Sequence, residues 1–137
     1  TNFTAKPTQQ SLYNNVTKHK KNTMGKLTEN TYSLTGKSGK KYTFGIYSMD
    51  TTFSSVGGIY VFTKRTKSGE SFSHSNKYIG KTNDLSTRFD NHHKEDCIIE
   101  NNANCLCVMR VDSEDDRTEY ETDLLLGNNT TCNEVNN

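Results

Sequence analysis

The chain has 137 residues and a mass of 15.5 kDa, room for one hydrophobic core and hardly for two. Apolar residues make up 30%, charged residues 24% and the net charge is +1, so the chain is polar without being repelled from collapse, and a compact core with long polar ends is expected. No stretch approaches the roughly 18 consecutive apolar residues of a membrane span, and residues 1–10 lack the basic and apolar pattern of an export signal, which together predict a cytoplasmic protein with no membrane attachment.

Residues 1–27 carry the single proline, Pro7, many Asn and Thr, and the basic stretch Lys18, Lys20, Lys21. This composition predicts a loosely ordered basic arm, with at most a short helix around Leu12, Tyr13 and Val16. One domain over 28–137 follows. Tyr32 and Leu34, the turn-prone Gly36-Lys37-Ser38-Gly39, then Tyr42, Phe44 and Ile46 in alternation predict a β-hairpin. A third strand is expected over Val56 to Lys64, a polar loop over Arg65 to Ser75, and a pairing strand over Lys77 to Lys81.

At Asn83 and Asp84 the period changes. A candidate N-cap precedes Leu85 and Phe89, spaced i, i+4, which predicts a helix running to about Lys94. Cys105, Cys107, Met109 and Val111 then alternate with Leu106 and Val108, the pattern of a strand buried on both faces. Ser113 with Asp116, the acids Glu114 to Asp116 and the later Gly127 predict a second helix over Glu114 to Leu126. The fold class is therefore α+β: a small, mostly antiparallel β-sheet flanked by helices, with an extra N-terminal β-hairpin.

Charge divides along the chain, with 11 Lys or Arg against two acids in residues 1–67 and six against 14 in residues 68–137. Two solvated faces would explain this, as would a basic half that tracks a polyanion, with Lys18, Lys20, Lys21, Lys64 and Arg65 as its nucleic-acid contacts. Cys97, Cys105, Cys107 and Cys132 are expected as reduced thiols. With His92 and His93 they offer zinc-type ligands, although no CxxC pair is present, and small core residues are the competing reading.

Pairing Gly58-Ile59-Tyr60 with Tyr78-Ile79-Gly80 brings two phenols to one face, with Lys81 next in the chain. Arg88 and His92 are four residues apart, and Glu121 has Leu124 and Leu125 at i+3 and i+4, which sets its carboxylate at the border of the core. Gly58-Ile59-Tyr60, Tyr78-Ile79-Gly80-Lys81-Thr82 with Leu85, Arg88-x3-His92 and Glu121-x2-Leu124-Leu125, in this order over about Val56 to Asn133, resemble the GIY-YIG nuclease family. The ending Cys132-Asn133 resembles the Pro-x-Asn close of many members, with Thr130 where proline is usual. The stretch between Tyr60 and Tyr78 exceeds the family's usual hairpin, which points to an enlarged loop over Thr63 to Asn76 or to a different strand register. A second Gly45-Ile46-Tyr47 is read as an ordinary strand of the preceding hairpin.

The resemblance implies a metal-dependent endonuclease acting on DNA, with Tyr60, Tyr78, Lys81, Arg88, His92 and Glu121 as the catalytic set. Phosphodiester hydrolysis builds charge on the phosphoryl and leaving oxygens and needs an activated water. By the resemblance, Glu121 holds Mg2+ or Mn2+, Arg88 binds nonbridging oxygens, and one tyrosine, with Tyr60 favoured over Tyr78, receives the water's proton. RNA as substrate, a catalytically inactive nucleic-acid-binding module and a zinc-stapled interaction domain are the alternatives.

Overall fold

A computed structural model of the chain describes residues 26–90 and 92–133, with side chains from Thr31 onward. The expected contacts Lys18, Lys20 and Lys21, and the short helix around Leu12, lie outside the described residues. Five strands, β1 (Lys26–Thr35), β2 (Lys41–Tyr47), β3 (Gly58–Ser68), β4 (Ser71–Thr82) and β5 (Cys105–Arg110), form one antiparallel sheet in the order β1-β2-β5-β3-β4. Two helices accompany it, α1 (Glu95–Glu100) and α2 (Glu114–Gly127). The N-terminal hairpin is thus part of the main sheet rather than an appendage, because β2 pairs with β5. Lys26 and Leu27, expected in the arm, already belong to β1.

β5 sits at the centre, bonded to β2 on one side and β3 on the other. Its alternation behaves as the sequence requires: Leu106 and Val108 enter one apolar cluster, Cys105 and Cys107 the other. The first cluster, with Tyr47, Tyr60, Phe62 and Tyr78, is covered by Leu85, Phe89 and Ile98. The second, with Phe44, Ile46, Ile59, Val61 and Ile79, is covered by Leu124 of α2.

α2 starts where expected. Ser113 Oγ accepts the backbone N–H of Asp116 at 3.1 Å, so one orphan donor of the first turn is satisfied. Asp123, further along, ties the helix to the β1–β2 turn through the N–H and hydroxyl of Ser38 and the hydroxyl of Tyr42. At the helix end, any side chain on Gly127 would overlap the backbone of Gly36 and Lys37.

Three expectations are corrected. The polar loop over Arg65 to Ser75, within the enlarged loop over Thr63 to Asn76, is a continuous two-stranded ribbon: Thr63 pairs with Asn76 and the ladder runs to Ser68 opposite Ser71. A bulge between Phe62 and Thr63 absorbs the odd residue, and Gly69, at φ 64°, takes the first central position of a two-residue turn as a type II′ hairpin requires. Where a helix is expected from Asn83 to Lys94, the described residues form bends and turns, and the helix that forms, α1, begins only at Glu95. Local bonds win there: Thr82 Oγ1 accepts the N–H of Asp84, and Asp84 Oδ1 accepts from both the N–H and hydroxyl of Ser86. Finally, Cys97 and Cys132 are joined in a disulfide rather than held as thiols, which removes them from any zinc set; the spacing of four cysteines could not disclose the pairing.

That disulfide fastens α1 to the C-terminal segment, which in turn lies along β4. Cys132 N–H donates to Lys77 C=O at 2.7 Å, and the Asn133 amide both accepts from Ile79 N–H and donates to Ile79 C=O, each at 2.9 Å. Asn133→Ala leaves both Ile79 groups without partners, and a stability loss of about 1–3 kcal/mol is expected. Urea unfolding measures it, and hydrogen exchange should place the acceleration at the Ile79 amide.

Candidate functional site

The β3–β4 register sets Tyr60 opposite Gly80 and Phe62 opposite Tyr78, so the two tyrosines are diagonal neighbours on one face with ring centroids 6.0 Å apart. Gly80 is required there. A Cβ at that position would overlap both the Tyr60 hydroxyl and the Tyr78 ring, so only glycine lets the Tyr60 phenol lie across β4. Gly58 is similarly constrained, since its Cβ would strike the Met109 carbonyl on β5.

Arg88 and His92 converge on the Tyr60 oxygen although no helix carries them. Arg88 Nε donates to Tyr60 Oη at 2.9 Å, and His92 Nε2 lies 2.7 Å from the same oxygen. The tautomer of His92 follows from its other nitrogen: the N–H of Lys94 donates to Nδ1 at 3.0 Å, so Nδ1 carries a lone pair. A neutral ring must then hold its proton on Nε2 and donate it to Tyr60. Burial, with Arg88, His93 and Lys94 nearby, pulls the His92 pKa down to about 3, which keeps the ring neutral. Tyr60 Oη therefore accepts two N–H donors.

Burial raises the Tyr60 phenol above its ordinary value, helped by Tyr78, while the charge and hydrogen bond of Arg88 work against the rise. Tyr78 is likewise raised, by burial first, with Arg88 and a hydrogen bond from Tyr60 opposing. Its hydroxyl is 3.4 Å from His93 Nε2, and His93 Nδ1 is 3.4 Å from Arg88 Nη2. His93 is absent from the expected catalytic set, yet its exposed ring stacks on His92 at 4.7 Å and edges Tyr78. Only the adjacency of the two histidines in the chain signals this.

Glu121 reaches the same cluster from α2. Its carboxyl is half-buried and its pKa is raised by that burial, with Lys81 and Arg88 opposing; it in turn acts on both tyrosines. It makes no hydrogen bond or ion pair within 4 Å with another described residue, so its lone pairs remain open. An open carboxylate beside phenol oxygens is a hard-oxygen donor set, which suits a divalent ion that keeps most of its waters. Among the site residues Glu121 carries the donor type that could hold a divalent ion. Lys81 is exposed and, with Thr82, Asn83, Arg88, Glu114 and Arg117, lines an open pocket of ≈ 310 Å³. Of these, Arg117 is already engaged, donating to the carbonyls of Val111 and Asp112.

Lys64 and Arg65 stand apart, on the outer ribbon. Lys64 is exposed, and the Arg65 guanidinium lies over the Phe72 ring at 3.8 Å. The second tyrosine word is distant from the first: Tyr47 is on β2, across β5 from β3, fully buried against Phe53, with its hydroxyl over Gly45.

Neutral His92 has a measurable consequence. Its folded pKa lies below the unfolded value of about 6.5, so the unfolded chain binds more protons and stability rises with pH. The contribution is whole above pH ~6.5 and is lost as pH falls toward 3, with a slope of at most about 1.4 kcal/mol per pH unit. Denaturation between pH 7 and 5 should show this slope, and His92→Gln should flatten it. Comparison with protein-family models, with curated proteins and with solved structures finds no match for this chain.

Proposed function

We propose that the chain is an endonuclease of the GIY-YIG type that hydrolyses DNA phosphodiester bonds with Mg2+ or Mn2+ at Glu121. The observation that carries the reading is the Tyr60 oxygen, which accepts N–H donors from both Arg88 and His92 beside Tyr78 and the open carboxylate of Glu121.

Two donors aimed at one phenol oxygen favour its ionised form, in opposition to burial. The phenolate is the base: a water proton passes to Tyr60 Oη, the water oxygen bonds to phosphorus, and the ester oxygen on the far side leaves. Arg88 holds Tyr60 through Nε and turns its remaining N–H groups to the nonbridging oxygens. His92 orients the phenol; it is a positioning residue with no proton to spare while Nδ1 accepts from Lys94. Lys81, exposed at the pocket mouth, meets the approaching phosphodiester. When bound, the divalent ion polarises the phosphate and steadies the leaving oxygen. Burial keeps the phenol protonated at rest, so the cleavage rate should climb with pH through the neutral range.

Supercoiled plasmid with magnesium, and chelator as control, is the direct test. Glu121→Gln should abolish nicking while leaving the melting temperature nearly unchanged; wild-type rates in this variant would refute the metal assignment. Arg88→Ala should slow turnover about 10²-fold or more, the range for removing one charge-stabilising donor.

The two tyrosine words separate catalysis from structure. Tyr60→Phe keeps the ring and its packing, and most activity should vanish at little cost in stability. Tyr47→Phe also deletes one hydroxyl from a buried strand residue and should leave cleavage near the wild-type rate. Equal activities would overturn the role of Tyr60.

A further inference from the structure

The face of the sheet opposite Tyr60 carries a second set of chemistry-bearing groups. Cys105 and Cys107 are both fully buried on the second apolar face, and His74 of β4 approaches them from the edge. One nitrogen of His74 and the two Sγ atoms all lie within 4.8 Å of one another. We propose that His74, Cys105 and Cys107 form a binding site for a thiophilic divalent cation of the zinc class, separate from Glu121 and independent of the nuclease reading.

Strand geometry excludes the main alternative for two close thiols. Residues i and i+2 are about 6.7 Å apart along a strand, while a disulfide needs Cβ atoms roughly 3.5–4.5 Å apart. Cys105 and Cys107 therefore cannot close on each other, and both sulfurs remain thiols that a shared cation can take as ligands. Tetrahedral zinc, with Zn–S near 2.3 Å and Zn–N near 2.0–2.1 Å, sets its ligands about 3.5–3.8 Å apart.

The surroundings suit the role. Thr63, fully buried, sits opposite Cys105 on β3 and places its Oγ1 2.8 Å from His74 Nδ1, the kind of outer contact that fixes a ligating ring. Tyr32 of β1 curls over the far side, its ring 4.4 Å from the His74 ring and its hydroxyl donating to Asn76 Oδ1 at 2.6 Å. This contact joins the two outermost strands and roofs the cluster. Two thiolates and an imidazole select a soft or borderline ion over magnesium.

Metal-free full-length protein, kept anaerobic without added reductant so that the Cys97–Cys132 disulfide persists, is titrated with Co2+ alone. One equivalent should bind, giving a near-ultraviolet thiolate-to-cobalt band of two-thiolate intensity and the strong visible bands of tetrahedral cobalt; one equivalent of Zn2+ should bleach both. Cys105→Ser should weaken binding by at least the roughly 10–100-fold that loss of even an outer partner costs. His74→Gln should also weaken it but keep the two-thiolate intensity. Glu121→Gln and Cys97→Ser/Cys132→Ser should leave the spectrum unchanged. No charge-transfer band, or a band that survives Cys105→Ser, overturns the site. If Cys105→Ser does not fold, the wild-type intensity decides: two thiolates per cobalt sustains the proposal, and none or four refutes it.

Discussion

The register of β3 against β4 is the constraint from which the rest of the molecule follows. Tyr60 opposite Gly80 puts both phenols on the face covered by Leu85, Phe89 and Ile98 and leaves Ile59, Val61 and Ile79 for α2. A slip of one residue would exchange the faces of β4, turning Tyr78 toward α2 and Ile79 toward the turns. Register here is held from three sides: the Gly69 turn fixes the hairpin end, β5 pairs with the whole inner half of β3, and Asn133 grips Ile79 from outside. The glycines of the two words are steric conditions of the same register, since neither Gly58 nor Gly80 has room for a Cβ.

Electrostatics around the tyrosines is a balance between burial and donors. Burial alone would hold the Tyr60 phenol protonated in the core. What distinguishes Tyr60 is that Arg88 and His92 spend their N–H groups on it, and that His92 is held neutral so that it donates without adding charge. The carboxylate of Glu121, the opposite sign, enters from a different layer of the fold, so the cluster assembles only when both layers pack on the sheet.

Much of this was legible in the sequence, and the failures share a cause. Period-two alternation marks β2 because one of its faces is buried and the other exposed, the near-continuous apolar run of β5 fits a strand buried on both faces, and Ser113 with Asp116 marks α2. The outer ribbon escaped because Lys64 to Ser75 has no apolar alternation to read; its ladder rests on backbone pairing and a glycine turn. The segment after Asn83 misled because Leu85 and Phe89 do bury side by side, as helical spacing demands, while Asp84 and Ser86 hold the backbone in turns. Arg88 and His92 were therefore identified correctly as neighbours on an incorrect element. His74 was invisible: only the curl that carries Tyr32 over to β4 brings it to the cysteines, and no local pattern encodes a contact between the two edges of a sheet.

The tail's hold on β4 has one more effect. β4 is an outermost strand, and an unpaired row of N–H and C=O groups beside an aromatic face is a template on which a foreign strand can grow. The side-chain amide of Asn133 imitates a peptide group and occupies the Ile79 positions, Cys132 takes Lys77, and the covalent link to α1 keeps both in place. The molecule thus covers part of its own margin beside the tyrosines with peptide-like contacts, where other edge strands rely on a charge or a proline.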